Sequence, residues 1–218
     1  MKNYRETVWR LIILFVGLTI AHLGVTMFLL ADLGADPFNV LVQGLFKILS
    51  GLTGWAFLTH GRVHIAVCFI IIIVLLIVDR SYIKLGTVVC MVFGGPIIDF
   101  FSLLLSPIFE AVDSFAVLLL LLALGCVILA YGMTIVIKSN AGTGPNDLVA
   151  VVISDKIKKK FSIIRVIVDF SFVAAGFLMG GVFGIGTLVC AFLVGPVAGI
   201  FLPINERLIN KALKALKV

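Results

Sequence analysis

At 218 residues, with 62% of them hydrophobic and only 13% charged, and a mean hydropathy of +1.27, the chain lacks the roughly 25% of charged residues from which a soluble domain builds its surface. That excludes a soluble domain large enough to work alone. The formal net charge of +6 would suit nucleic acid, but the basic residues sit at the ends of apolar runs, where they act as topology signals, so no nucleic-acid partner is expected.

A helix needs about 20 apolar residues to cross some 30 Å of hydrocarbon, and the first run of that length, Leu11 to Leu30, follows the charged stretch Met1 to Arg10. It is long, lacks a small-residue cleavage pattern and leads into further spans, so it reads as a retained helix and not as a signal peptide. His22 lies within it. Asp36-Pro37 then starts a short helix, with a side-chain N-cap followed by Pro at the first helical position. Its extent, Pro37 to Ser50, gives roughly 21 Å at 1.5 Å per residue, too short to span comfortably, and it carries Asn39 and Gln43.

Ile65 to Val78 and Leu85 to Leu105 follow as spans, the second carrying Gly95-Pro96 and Asp99. Phe115 to Ile137 is the next. Gly144-Pro145 starts a second short helix, Pro145 to Asp155, of roughly 16 Å, with Asn146 and Asp147 in its first turn. Ile163 to Met179, with Arg165 and Asp169, and Ile185 to Leu202, with Gly195-Pro196, complete a minimum of six spans. In the tail, Leu208, Ala212 and Leu216 recur at i, i+4 and i+8 with Arg207, Lys211, Lys214 and Lys217 on other faces. Such a basic amphipathic helix suits the cytoplasmic membrane surface.

The chain is internally duplicated. At an offset of 108, Gly17 pairs with Gly125, Gly24 with Gly132, Thr26 with Thr134, Gly34 with Gly142 and Pro37 with Pro145. At an offset of 100, Gly86-Thr87 pairs with Gly186-Thr187, Val89-Cys90 with Val189-Cys190, Gly95-Pro96 with Gly195-Pro196, and Phe101 with Phe201. The expected architecture is an all-α polytopic membrane protein of two homologous halves, 1–108 and 109–204, with the tail 205–218. If the short helices dip in and return, each half has three spans and the halves are inverted (3+3). If they cross, the halves are parallel (4+4). With six spans and the N-terminus inside, 15 of the 17 Lys and Arg fall on the inner side, and with eight spans 14 do, so charge places both termini in the cytoplasm without fixing the count. Helix length favours six, with each short helix re-entrant or interfacial.

The segments Gly34-Ala-Asp-Pro-Phe-Asn-Val-Leu-Val-Gln-Gly-Leu45, Gly142-Thr-Gly-Pro-Asn-Asp-Leu148 and Gly184-Ile-Gly-Thr187, the last followed by Gly195-Pro196, resemble the YczE/YyaS/YitT family of bacterial membrane proteins over nearly the whole chain. The resemblance implies a multi-pass protein of the bacterial cell membrane. It also implies a Pro-x-Asp element after the first helix of each half, which Asp147 matches and Asn39 replaces, and an Arg with an acid four residues on, which Arg165 and Asp169 match. It supplies no shared substrate.

Polar groups in hydrocarbon are costly, about 2.5 to 3.5 kcal/mol for a central charge, and so point to function. His22 and Asp99 lie at similar depths in the six-span arrangement and are expected to pair. Imidazole titrates near neutral pH beside a carboxylate, so such a pair would supply a proton-coupling site, against a static interhelical hydrogen bond. Arg165 and Asp169 share a helix face and are expected to form an ion pair. The helix starts at Pro37 and Pro145 would attract anions, but Asp36 and Asp147 already bring negative charge. Self-capping is therefore the leading account, and a polar or cationic solute is favoured over a phosphate or carboxylate, with Asn39, Gln43 and Asn146 as its hydrogen-bonding groups. Gly95-Pro96 and Gly195-Pro196 are expected to break their helices near mid-membrane, which is where repeat transporters bind.

Cys68, Cys90, Cys126 and Cys190 lie in apolar runs without metal-ligand spacing, so they read as packing, and neither a metal nor a cofactor is implied. No HExxH, GxSxG or phosphate-binding Gly-rich motif occurs, so no enzyme is expected. The leading function is transport or facilitation of a small solute, its partners being the lipid bilayer and that unknown solute. The alternative is a non-transporting accessory protein for another membrane system, with a second copy or another membrane protein as partner.

Overall fold

The computed structural model describes residues 2–34, 36–54, 58 and 60–216, with the side chains of residues 2, 3, 60, 61 and 99 outside that description. The described residues form eight α-helices: α1 Lys2–Leu30, α2 Pro37–Thr53, α3 His60–Asp79, α4 Leu85–Glu110, α5 Phe115–Ser139, α6 Pro145–Ile157, α7 Phe161–Leu178 and α8 Ile185–Ala215. Six of them, all but α2 and α6, are long and apolar enough to cross a membrane. Their outer surface is apolar, with Ile77, Leu103 and Leu178 each more than 80% exposed. Side chains of that kind on a helix whose own backbone is hydrogen-bonded are suited to lipid.

α1 and α5, the corresponding helices of the two halves, share the most extensive contact in the protein. Their register is antiparallel. A Cβ at Gly24 would stand 2.5 Å from the Gly125 carbonyl oxygen and 2.9 Å from Leu129 Cα, and one at Gly132 would stand 2.7 Å from the Gly17 oxygen and 2.7 Å from Ala21 Cα. Exchanging the halves turns the first contact into the second, as in a two-fold interface between identical surfaces. Small residues let the backbones meet, the usual device where lipid gives helices no hydrophobic reason to associate.

The start of each half's last helix is hydrogen-bonded to the other half. The Gly86 N–H donates to the Ala141 carbonyl at 2.9 Å, and the Gly186 N–H donates to the Leu33 carbonyl at 2.8 Å. Gly34 (φ 122°) and Gly142 (φ 147°) sit in these crossings with backbone angles that favour glycine. A Cβ at Gly34 would lie 2.8 Å from the Gly184 nitrogen, and one at Gly142 would lie 2.8 Å from Gly86 Cα. At the α5 end, Arg10 Nη1 donates to the Ser139 carbonyl at 3.0 Å and Lys84 Nζ to the Asn140 carbonyl at 2.9 Å. Burial, and secondarily the nearby Arg10 charge, hold the Lys84 ammonium below the usual lysine pKa.

Three sequence expectations change here. α2 and α6 extend to Thr53 and Ile157, ending in left-handed caps at Gly54 and Lys158. Gly95-Pro96 and Gly195-Pro196 do not break their helices: α4 and α8 run unbroken through Pro96 and Pro196. Each Pro costs one internal hydrogen bond, which a membrane helix packed against neighbours tolerates. A Cβ at Gly95 would meet nothing within 4 Å among the described residues, whereas Gly195 lets α8 approach the Ser162 carbonyl of α7. The tail is not a separate helix either. It prolongs α8, and the buried face is Asn205, Ile209 and Leu213, one residue on from the expected stripe, while Leu208 is exposed.

Asn205 sets that register by donating from Nδ2 to Thr134 Oγ1 at 2.7 Å and to the Tyr131 carbonyl at 3.3 Å. Asn205→Leu is expected to lower stability by about 1 kcal/mol, because the polar groups on α5 lose a buried donor. Thermal unfolding of the detergent-solubilised protein measures it. An unchanged midpoint would mean that packing alone fixes the register.

Candidate functional site

The polar centre lies on α7, where the two short helices arrive from opposite directions. Phe38, in the first turn of α2, packs edge-on against Phe172 at a centroid distance of 5.6 Å. Further along, α2 passes the α7 C-terminus, with Gly44 beside Met179. α2 therefore runs from the middle of α7 towards its end. α6 runs the other way: Asp147 in its first turn reaches Arg165, Ala150 packs on Ile164 and Val168, and the helix ends beside the start of α7. Both N-termini thus point to the middle of α7, and Asp169 lies between their points of contact.

Each start is locally determined. Asp36 caps α2 by accepting from the Asn39 N–H at 3.3 Å, and the Asn39 side chain donates to Asp36 Oδ2 at 2.6 Å. Gly144 precedes Pro145 with no side-chain cap, so Asp147 brings negative charge to the first turn instead. Asn146 Nδ2 donates to Asp147 Oδ1 at 3.1 Å.

Arg165 holds the centre together. Its Nε donates to Asp169 Oδ2 at 2.8 Å, its Nη1 donates to Asp147 Oδ1, and the same Nη1 contacts Met133 Sδ of α5 at 3.7 Å. The Arg165 and Asp169 side chains are buried, Asp169 completely. Asp169 Oδ1 is buried without a hydrogen-bond partner among the described residues. One guanidinium thus faces two carboxylates, and Asp36 is near enough to act on Asp169 through space. The local balance is negative where Arg165 and Asp169 are buried, which is the setting for a functional charge.

His22 lies on α1 within electrostatic range of the centre. Its Nδ1 bonds the Leu18 carbonyl at 2.8 Å, and Asp147 and Asp36 both act on the ring through space. Nε2 faces Gly94 of α4, where a Cβ would come to 2.8 Å. The Asp99 side chain, expected opposite His22, lies outside the described residues. Gln43 sits away from the centre, its Oε1 accepting from the Val182 N–H at 3.1 Å. Pro37 and Pro145 occupy the first turns of α2 and α6, and Pro96 and Pro196 lie within α4 and α8 and contribute no group to the centre.

The i, i+4 spacing announces Arg165 with Asp169. The link from Arg165 to Asp147, 18 residues away, has no local signal beyond the requirement that a buried acid find a cation.

A profile described as "Family of unknown function (DUF6198)" matches residues 8–203. The chain is 28% identical over 209 residues to the "Uncharacterized membrane protein YczE" of Bacillus subtilis (strain 168), covering 95% of this chain and 92% of that one. It is 27% identical over 193 residues to the "Uncharacterized protein YyaS" of the same organism, covering 88% and 92%. A Haemophilus influenzae protein is 26% identical over 199 residues, covering 90% and 84%. No solved structure matches.

Proposed function

We propose, from the premise that this chain belongs to the DUF6198 family, that it moves a small polar or cationic solute across the cell membrane. On this reading the halves are a 3+3 inverted repeat, α2 and α6 are re-entrant helices whose N-termini meet near the midplane, and both termini lie in the cytoplasm. The antiparallel α1 and α5 support the inversion, and the distribution of Lys and Arg supports the orientation.

The observation that carries the proposal is the convergence of two short, Pro-started helices on a buried carboxylate with one oxygen unpartnered among the described residues. Corresponding interruptions in two inverted halves are the usual place for a transporter's binding site. Asp169 Oδ1 is the group offered to the solute or to a coupling proton. Arg165 keeps Asp169 in position, and Asp147 ties α6 to it. A donor-bearing or cationic group suits this site, because three carboxylates, Asp36, Asp147 and Asp169, outnumber the one guanidinium. His22, within electrostatic range of Asp36 and Asp147, supplies a second titratable group for proton coupling. These roles are binding and translocation, not catalysis.

The test is a thermal-shift screen of small amines and neutral polar solutes on the detergent-purified protein and its Asp169→Asn variant. A solute that raises the midpoint of the wild type is expected to lose most of its effect in Asp169→Asn, since linkage gives stabilisation only where binding occurs. A hit that persists unchanged in the variant removes the site from Asp169. A chain that binds no solute, yet co-purifies with one membrane protein, favours the accessory role.

A further inference from the structure

A cavity of about 480 Å³ opens among α1, α5, α6, α8 and the connector from α3 to α4, and none of its lining residues belongs to the Asp169 centre. Its size falls within the roughly 300–1,000 Å³ of small-molecule sites. Three cations line it, and each stands at the edge of an apolar run: Arg10 before Leu11, Lys84 before Leu85 and Lys138 after Ile137. They therefore lie together at the lipid–water boundary. Two acids also line it, Asp155 in the last turn of α6 and Glu206, four residues past the apolar run that ends at Leu202.

The cations form the inner part of the cavity and the acids its outer part. The Arg10 and Lys138 side chains are 25% and 28% exposed and Lys84 is half-buried, whereas the Glu206 side chain is 53% exposed and Asp155 is exposed. Arg10 is tied to Glu6 at 2.9 Å and Lys138 to Glu206 at 2.8 Å. Lys84 has no acid of its own among the described residues: its Nζ donates to the carbonyl and side-chain oxygens of Asn140. The charge that acts on it through space is that of Arg10, a like charge. An ammonium carries three donors, so Lys84 keeps one for a further acceptor, and an anion there would offset the repulsion. Beyond Lys84, the side chains of Leu85, Val88 and Val92 share one face of α4 and are exposed, a track suited to acyl chains.

We propose that this cavity holds the headgroup of an amine-bearing phospholipid, of the phosphoethanolamine class, with its phosphate on Lys84 and Arg10 and its ammonium towards Asp155 and Glu206. In a bilayer the phosphate lies nearer the hydrocarbon and the amine nearer water, which is the order of the cations and acids here. The charges match as well. With Glu6 counted beside Arg10, three cations and three acids balance, so a zwitterion leaves no net charge, whereas an anionic headgroup brings an excess that the acids oppose. The site depends neither on the transport reading nor on which leaflet this boundary faces. A lipid bound there ties α1 and the start of α4 to α8, and so stabilises the folded chain.

Delipidated protein in one detergent tests this, with dioleoyl phosphatidylethanolamine, dioleoyl phosphatidylglycerol and soluble O-phosphoethanolamine added in turn. The readouts are thermal midpoints and the lipid adducts retained in native mass spectra. The ethanolamine lipid is expected to raise the midpoint most, as linkage requires of a ligand that binds only the folded chain. Lys84→Gln is expected to weaken its retention about tenfold, the loss of one charge-assisted hydrogen bond. Asp155→Asn is expected to narrow the preference for the ethanolamine over the glycerol headgroup. Lys211→Gln, at an exposed lysine of α8 outside the cavity, should leave both lipids as they were. Should Lys84→Gln fail to accumulate, Asp155→Asn decides, since its side chain is exposed. Unchanged retention in Lys84→Gln, or an unchanged preference in Asp155→Asn, overturns the proposal. So does a response to the glycerol lipid as strong as that to the ethanolamine lipid, or an equal loss in Lys211→Gln. A response to soluble O-phosphoethanolamine that matches the lipid's overturns the bilayer as the source of the headgroup.

Discussion

Replacement of Arg165 by Met is expected to cost about 3 to 5 kcal/mol, the usual consequence of removing one partner from a buried charge network. The cost follows from what remains. Asp169 is completely buried with one oxygen already unpartnered, and the guanidinium supplies the only hydrogen bond to its other oxygen among the described contacts. Without Arg165, Asp147 and Asp169 would be two acids facing each other across the start of α6, and α6 would lose its polar tie to α7. Arg165→Lys retains charge but not the fork that reaches both acids at once, so its loss should fall in between. The triple variant Arg165→Met, Asp147→Asn, Asp169→Asn should recover much of the stability, because a neutral set has no uncompensated charge. Detergent-resistant yield and thermal midpoints of the four proteins measure this. A triple variant no more stable than Arg165→Met would mean that the arginine acts by packing rather than by charge.

The second large effect is expected at the α1–α5 crossing. Gly24→Ala and Gly132→Ala each add a methyl group where the facing atoms are backbone, at 2.5 Å from the Gly125 oxygen and 2.7 Å from the Gly17 oxygen. Backbone cannot rotate aside as a side chain can, so the helices must separate, at a cost of about 1 to 3 kcal/mol for each substitution. The repeat adds a sharper expectation: the two variants occupy equivalent positions and should be destabilised to a similar extent. Gly51→Ala in α2 is the control. A Cβ at Gly51 would meet nothing within 4 Å among the described residues, and a helical position open in this way should gain up to about 1 kcal/mol from the better helix former. Thermal unfolding in one detergent compares all three. Equal behaviour of Gly24→Ala and Gly51→Ala would mean that the crossing is loose.

The particular residues show why some features are legible in sequence and others are not. The capped start of α2 follows from Asp36-Pro37, and the pair Arg165 with Asp169 follows from a spacing of four, since both are local relations along one helix. The expected breaks at Gly95-Pro96 and Gly195-Pro196 are absent because a helix held by neighbours keeps its course through the loss of one hydrogen bond. The expected tail stripe is one residue out because Asn205, bonded to Thr134, turns α8 so that Ile209 and Leu213 face inward. Neither outcome can be computed from the helix alone.

By itself the sequence determined a membrane protein with six long apolar helices and two short Pro-started ones, because hydrophobic length and turn chemistry act within one segment at a time. Only the tertiary structure decided that Asp147 pairs with Arg165 and that His22 faces Gly94. Those depend on which surfaces meet. That is fixed by close contact of glycine backbones and by the need of each buried charge for a partner, and both are relations between segments far apart in the chain.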